Sequence, residues 1–136
     1  MERQNVLTKA DAPEVTAVLS ESGLRRMVGS AKIMRCQLEH LAKLAEQPNI
    51  HLHVAPFRCR AVAALAYPFI RFRVPAANAN TPALEFVFVE QLTNGDYLDS
   101  PNEVEEYSVL WSGLLGAALD PVESRELLLF IAAEFE

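Results

Sequence analysis

Two histidines separated by one residue are the first candidates for chemistry in this sequence. His51 and His53 alternate with apolar residues between positions 50 and 54, and this two-residue period places both imidazoles on one face of a β-strand. Such a pair can hold zinc when further ligands approach. Cys36 and His40, one helical turn apart, would supply them only from a helix whose polar side faced the sheet. We therefore predict no metal ion and no cofactor.

Alternation in a later segment adds two arginines to the candidates. Arg71 and Arg73 share one face of the segment from position 70 to 74, and Glu85 lies on the next strand candidate. Guanidinium groups clasp carboxylates or phosphates in bidentate fashion, and imidazoles tune binding near neutral pH. We expect one polar sheet face to gather a ligand-binding set of His51, His53, Arg71, Arg73 and Glu85. The alternative is a solvated surface with weak cross-strand ion pairs.

Two glutamates at strand ends are weak catalytic candidates. Glu21 follows the first strand and Glu90 ends a later one, so an apolar pocket that raised the pKa of either carboxyl group would permit acid–base chemistry. The plainer interpretation is that Glu21 begins a helix favourably and Glu90 pairs with an arginine. No nucleophile elbow, phosphate loop or dinucleotide fingerprint is present. The sequence therefore leans against an enzyme.

The charge of the chain is concentrated at its carboxyl-terminal end. The formal net charge is −6, and residues 101–136 hold eight acidic side chains against a single base, Arg125. A surface that binds duplex DNA needs clustered Lys and Arg to displace counterions. We expect no direct nucleic-acid binding by this chain, whereas a basic protein partner would suit the acidic helices.

Length and composition predict one domain over residues 1–136. The first residues, Met1–Asn5, lack the apolar stretch of a secretory signal. The longest apolar run, from Ala61 to Ile70, is too short to cross a bilayer. Cys36 and Cys59 do not form a disulfide framework. These features predict a cytoplasmic protein with reduced cysteines and no membrane contact.

The first half of the chain has the pattern of a parallel crossover. A strand is expected at Val15–Leu19, and a short helix over Glu21–Val28 should stop at Gly29. A longer helix from Ser30 carries an apolar stripe formed by Met34, Leu38, Leu41 and Ala45. With the strand at Ile50–Ala55, these elements predict a right-handed β-α-α-β crossover.

The second half predicts further strands of the same sheet. After an irregular stretch from Arg58 to Pro68, strands are expected at 70–74 and 84–91. The sequence Asn94-Gly95 is typical of a type I′ turn, which would pair Leu84–Leu92 with Tyr97-Leu98 in a β-hairpin.

Two helices should follow, each beginning with a capping residue and proline: Ser100-Pro101-Asn102-Glu103 and Asp120-Pro121-Val122-Glu123. The first should pack on the sheet through an apolar side formed by Val104, Tyr107, Trp111, Leu114 and Ala118. Leu127 to Ala133 is apolar nearly all round, so the last helix is either core or the seam of a homodimer. The predicted fold class is α+β, with a mixed sheet of about four to five strands.

An ordered series of short motifs resembles one family. It runs through Arg3-Gln4, Leu19-Ser20-Glu21-Ser22-Gly23-Leu24-Arg25-Arg26-Met27-Val28-Gly29, Gln37-Leu38, Pro48-Asn49-Ile50, Val54-Ala55-Pro56-Phe57, Pro68-Phe69, Phe88-Val89-Glu90 and Ala118-Leu119-Asp120-Pro121-Val122-Glu123-Ser124. In this order the motifs resemble the antitoxin-like domain of unknown function that follows the helix-turn-helix of bacterial Xre-type transcriptional regulators.

The resemblance implies a ligand-sensing or partner-binding regulatory module without its own DNA-binding part. Members carry a helix-turn-helix and a Pro-Gly-Leu-Leu-Gln-Thr segment before the position of Arg3-Gln4, and this sequence begins after both. The signal would come from a small molecule or a protein partner. The alternative function is a small biosynthetic enzyme, a cyclase, isomerase or hydrolase, built on the same fold.

Overall fold

The computed structural model describes residues 2–59 and 68–135. They form an α+β fold and group into two compact units, Met1–Cys59 with Ala117–Glu136, and Arg60–Gly116. The elements are a 3₁₀ helix at Glu2–Thr8, β1 (Val15–Ser20), α1 (Glu21–Arg25), α2 (Ala31–Leu44), β2 (Ile50–Ala55), β3 (Phe69–Val74), β4 (Leu84–Glu90), β5 (Gly95–Leu98), α3 (Pro101–Ala117) and α4 (Pro121–Glu134). The single-domain prediction stays a prediction, and most of the expected irregular stretch from Arg58 to Pro68 lies outside the described residues.

The first unit is built on a parallel strand pair. β1 and β2 pair in register from Val15–Ile50 to Ser20–Ala55, which confirms the predicted β-α-α-β crossover as a parallel one. One face of the pair is buried against helices, and the core it forms contains Leu24, Leu38, Ala42, Ile50, Leu52, Val54, Leu128, Ile131 and Ala132. The strand alternation therefore identified the correct buried face of β2.

The two helices of the crossover differ in how well the sequence predicted them. Ser30 caps α2 by accepting a hydrogen bond from the Ile33 amide at 3.2 Å. Two of the four residues of the apolar stripe are buried, and the other two are partly buried against the core. The shorter helix, α1, ends at Arg25 rather than at Val28. Val28 is exposed, so another turn of helix there would not be stabilised by packing against the core. Gly29 then adopts a positive φ of 79°, a conformation that favours glycine.

The second edge of β2 is occupied by the segment that leads into α4. The Leu119 amide donates to the Val54 carbonyl at 2.9 Å. The Ser124 hydroxyl accepts from the Val54 amide at 2.8 Å and donates to the Leu119 carbonyl at 3.2 Å. Ser124 is fully buried. Because these groups hydrogen-bond Val54 on its outer side, that edge is closed to another strand.

The five strands consequently form two sheets rather than the single mixed sheet that we expected. β1 and β2 make one, and β3, β4 and β5 make the other, in that order. Sequence alternation shows which residues of a strand share a face, but it does not show which strands pair. The prediction that the later strands extend the sheet of β1 and β2 was wrong.

The second unit contains an antiparallel sheet that confirms the predicted hairpin. β4 pairs with β5 from Val87–Leu98 to Glu90–Gly95. The predicted turn type is wrong, because Gly29 alone among the described residues has a positive φ. The loop instead runs from Gln91 to Asn94, where the Gln91 amide donates to the Asn94 carbonyl at 2.7 Å.

Gly95 is the first residue of β5 and serves packing rather than the turn. A Cβ atom at this position would lie 2.5 Å from Cε2 and 2.6 Å from Cζ of Phe88. Both distances are far below a normal carbon–carbon contact. The aromatic ring of Phe88 therefore occupies the space that any other residue at position 95 would need.

Helix α3 begins and packs as the sequence predicted. The Glu103 amide donates to Ser100 Oγ at 3.3 Å, and Ser100 Oγ donates to Glu103 Oε1 at 2.9 Å. On the sheet, the ring of Phe69 lies 5.0 Å from that of Tyr107 and 6.5 Å from that of Trp111. α3 therefore packs on the sheet face that carries Phe69.

The opposite face of this sheet is apolar and exposed. Alternation and strand register place seven residues there, which we call the aromatic face: Ile70, Phe72, Val74, Leu84, Phe86, Phe88 and Tyr97. Phe72 and Phe86 stack with centroids 4.9 Å apart. Tyr97 contacts Phe86 at 5.9 Å and Phe88 at 5.0 Å. The sequence predicted that α3 packs on the sheet, but it did not predict that an apolar face would remain exposed.

Candidate functional site

The five predicted ligand-binding residues do not share a sheet. His51 and His53 lie on β2, whereas Arg71 and Arg73 lie on β3 and Glu85 on β4. The prediction that one face gathers all five is wrong because it required β2, β3 and β4 to belong to one sheet. The closed edge of β2 at Val54 is the physical reason. Ligand binding by either smaller group stays a prediction.

The two histidines are held by separate local contacts in the first unit. His51 Nε2 lies 3.1 Å from Glu14 Oε2. His53 Nδ1 lies 2.9 Å from the Leu119 carbonyl, which can only accept, so Nδ1 carries the proton. Each imidazole therefore has one ring nitrogen engaged, and the contacts differ for the two rings.

A metal site has no geometric support among the described residues. No group of three or more His, Cys, Asp and Glu side chains there could hold an ion. Cys36 and His40 are exposed on α2, while Met34, Leu38 and Ala42 form its buried side. The side chains that a zinc site would have required therefore lie on the exposed side of the helix.

The charged residues of the second unit form a plain surface arrangement. Arg73 Nε lies 3.7 Å from Glu85 Oε1, and both side chains are largely exposed. Arg71 is paired with Val87 in the strand register and is also exposed. Exposed cross-strand ion pairs of this kind contribute about 0 to 1 kcal/mol to stability. The geometry matches the weak ion pairs that the sequence left open as the alternative.

The two candidate catalytic glutamates belong to different units. Glu90 is exposed at the end of β4 and pairs with Gly95 in the strand register. Glu21 begins α1 in the first unit and is buried. Of the two carboxylates, only Glu21 has an environment that differs from that of an ordinary surface group.

Glu21 ties α1 to the segment that follows β2. Its Oε2 accepts from Arg25 Nε at 2.8 Å, and its Oε1 accepts from the Phe57 amide at 3.0 Å. The side chain is only 10% exposed, so both bonds offset the cost of burying its charge. Arg25 also pairs with Glu134. The pKa of Arg25 is raised, first by its hydrogen bond to Glu21.

An open pocket of about 320 Å³ lies against Glu21. Its other lining residues are Pro56, Phe57, Arg58, Leu119 and Leu127. Glu21 follows the last residue of β1, and Pro56 follows the last residue of β2. The pocket therefore lies outside the carboxyl ends of two parallel strands, where ligands commonly bind in sheets of this kind.

Most of this pocket was not predicted from the sequence, although one signal was present. Predicted parallel pairing of β1 with β2 brings the residues after both strands to one edge, so Glu21 and Pro56-Phe57-Arg58 could have been grouped. Nothing local placed Leu119 and Leu127 there. Their position depends on the hydrogen bonds between β2 and the segment before α4.

A second pocket of about 350 Å³ lies at the opposite end of β1 and β2. The Asn49 side chain at its edge donates to the Leu7 and Pro13 carbonyls at 3.0 and 3.1 Å. These bonds hold the amino-terminal segment against the strand. Since the Asn49 amide group already makes both of its donor bonds, we assign this pocket a structural role.

Comparison with known proteins found one relationship. A family model described as "Domain of unknown function (DUF5753)" matches residues 1–129. No curated protein and no solved structure matches the chain. The matched range includes residues of both compact units, and no known activity accompanies it.

Proposed function

The chain belongs to the DUF5753 family, and we propose that it is a ligand-sensing or partner-binding regulatory module related to Xre-type transcriptional regulators. The resemblance of its ordered motifs to the domain that follows the helix-turn-helix in those regulators supports the relationship. The pocket beside Glu21 carries the ligand-sensing part of the proposal. Reading of DNA is left to a separate helix-turn-helix, because the acidic residues 101–136 would be repelled by phosphate.

The ligand class follows from the pocket lining. Phe57, Leu119 and Leu127 offer apolar and aromatic surface. The Glu21 carboxylate is compensated by Arg25, whereas Arg58 is exposed and presents a guanidinium group that suits a carboxylate or phosphate. We therefore assign to the pocket a small amphipathic anion, with its apolar part on the leucines and its charge at Arg58.

Binding is a better proposal than catalysis at this site. The alternative function, a cyclase, isomerase or hydrolase, needs a group that is free to exchange a proton with substrate. Both oxygens of Glu21 already accept hydrogen bonds within the protein. Glu90, the other candidate, is an exposed carboxylate in the other unit.

The cellular compartment is part of the proposal. Among the described residues, no helix is both long and apolar enough for a membrane span. Cys36 is an exposed free thiol and Cys59 a buried one. Reduced cysteines suit the cytoplasm, where a transcriptional regulator would work.

The pocket can be tested with the amphipathic anion 1-anilinonaphthalene-8-sulfonate, whose fluorescence rises on binding. Arg58→Ala removes the guanidinium group from the pocket, so the dissociation constant should rise about tenfold or more. Arg26→Ala, which removes another exposed arginine of the same unit, serves as the control and should leave it unchanged. Native mass spectrometry of the protein as purified would show any natural ligand as added mass.

A second pair of variants examines the apolar wall. Leu127→Gln introduces a polar group into the pocket and should weaken probe binding, whereas Leu129→Gln changes an exposed position of the same helix and should not. Equal binding by wild type, Arg58→Ala and Leu127→Gln would overturn the assignment of this pocket.

A further inference from the structure

The aromatic face of the second unit is a contiguous exposed apolar patch. Phe72 is 41% exposed and Tyr97 67%, with Ile70, Val74 and Leu84 between them. These five residues together expose roughly 500 Å² to solvent, most of it apolar. The largest apolar patch on a monomeric protein is commonly of this size and is often functional.

The composition of the face determines what can cover it. Among the described strand residues that point to this side, only Glu90, at the end of β4, carries a charge. A charged partner would therefore find nothing complementary there. A largely uncharged apolar surface does suit a second surface of the same kind, since Glu90 is the only described strand residue of each copy that would bring a like charge to the contact, despite the net charge of −6.

Size and shape favour a second copy of the chain. A stable dimer buries about 800 Å² on each partner, and the aromatic face supplies more than half of that before any surrounding residues contribute. Two sheets pack face to face about 10 Å apart with their strands nearly aligned. A two-fold axis would place the same rows of side chains against each other.

We infer that two copies of this protein associate through their aromatic faces, so that the two three-stranded sheets form a six-stranded β-sandwich. The α3 helices then lie on the outer sides of the sandwich, because α3 packs on the opposite face of each sheet. This association is independent of the pocket beside Glu21, which belongs to the first unit.

Sedimentation equilibrium of the full chain tests the inference. The wild type should be dimeric, and Leu84→Lys together with Tyr97→Lys should raise the dimer dissociation constant about a hundredfold or more, because four buried charges would face each other. Val109→Lys changes an equally exposed residue of α3 and should leave the dimer intact. Circular dichroism establishes that each variant is folded.

The main competitor is the helix seam predicted from the sequence. Val122, Leu129 and Phe130 are exposed on α4, so Phe130→Lys would dissociate a dimer held by that helix. Loss of the dimer in Phe130→Lys but not in the aromatic-face variant would overturn the inference, and so would a wild type that stays monomeric.

A measurement on the unaltered protein covers the case in which a variant fails to fold. Carbene footprinting at rising protein concentration should show progressive protection of Tyr97 and Leu84. The labelling of Val109 and of Phe130 should not change with protein concentration. Labelling of Tyr97 that is independent of concentration would contradict a dimer through this face.

Discussion

The two units treat their apolar surface in opposite ways. In the first, one face of the β1–β2 pair is buried against helices, and the outer edge of β2 is hydrogen-bonded by Leu119 and Ser124. In the second, α3 packs on one face of the sheet while the aromatic face stays exposed. The first unit covers the apolar face of its strand pair with its own helices, whereas the second leaves an apolar sheet face exposed to solvent. Substitutions in the first unit should therefore have the largest effects on the free energy of unfolding, and substitutions on the aromatic face of the second unit should have the largest effects on dimerisation.

The largest expected loss of stability comes from a substitution in the core of the first unit. Leu128 is fully buried there, so Leu128→Ala should lower the free energy of unfolding by about 2 to 5 kcal/mol. Urea unfolding followed by circular dichroism measures the change. Leu92→Ala is the control, because Leu92 is 102% exposed in the β4–β5 loop, and its effect should stay within about 0.5 kcal/mol. Similar losses in both variants would contradict the core assignment.

The next effect concerns the closed edge of β2. Ser124→Ala leaves the Val54 amide without its acceptor, and an unsatisfied buried donor costs about 1 to 3 kcal/mol. Ser108 in α3 is the matched control, because its hydroxyl only donates to Val104 within the same helix. Ser108→Ala should be close to neutral. A neutral Ser124→Ala would mean that this hydroxyl does not hold α4 to β2.

A pair of glycines sharpens the comparison inside the second unit. Gly95→Ala should destabilise the protein by about 1 to 3 kcal/mol, because its Cβ would displace the Phe88 ring. In helix α3, Gly113 has nothing within 4 Å of an added Cβ, so Gly113→Ala should stabilise by about 0.5 to 1 kcal/mol. Thermal unfolding gives both signs, and a stabilising Gly95→Ala would refute the packing role.

The smallest effect is a dependence on pH at the start of α4. The Glu123 amide donates to Asp120, and this bond is the first cause of the lowered pKa of that carboxyl group. Since the pKa of Asp120 is lower in the folded state, its carboxylate stabilises the fold at pH values above the pKa of the unfolded chain, about 3.9. This stabilisation is lost as the pH falls through the pKa of the folded state.

Asp120→Asn keeps a capping acceptor without the titrating charge, so its melting temperature relative to wild type should improve as the solution is acidified below about pH 4. Ser100→Ala removes the non-titrating cap of α3, and its cost should not vary over the same range. A difference between Asp120→Asn and wild type that is constant with pH would contradict the assignment.

Local patterns predicted most of the elements, and long-range pairing decided the rest. The caps at Ser100 and Asp120 and the stripe of α2 depend on residues three or four apart, which the sequence displays directly. The expected polar face failed because it depended on which strand lies beside β2. That choice was made by Leu119 and Ser124, some sixty-five to seventy positions further along the chain. The pocket was missed for the same reason.

The Asn94-Gly95 pair shows a different kind of failure. Glycine after asparagine is a strong signal for a type I′ turn. Gly95 has no positive φ, however, and the Phe88 ring occupies the space that a Cβ atom would need. Glycine is used both where the backbone has a positive φ and where packing leaves no space for a Cβ atom. Sequence alone does not distinguish them.

The discontinuity of the first unit has a consequence for synthesis on the ribosome. Its strands and α2 belong to Met1–Cys59, while Leu128 and Ile131 of the same core come from the segment that begins at Ala117. Translation of the intervening residues takes roughly 3 to 11 s at ordinary rates. The apolar face of β2 therefore remains exposed on the nascent chain, where chaperones can bind it, until α4 emerges from the ribosome.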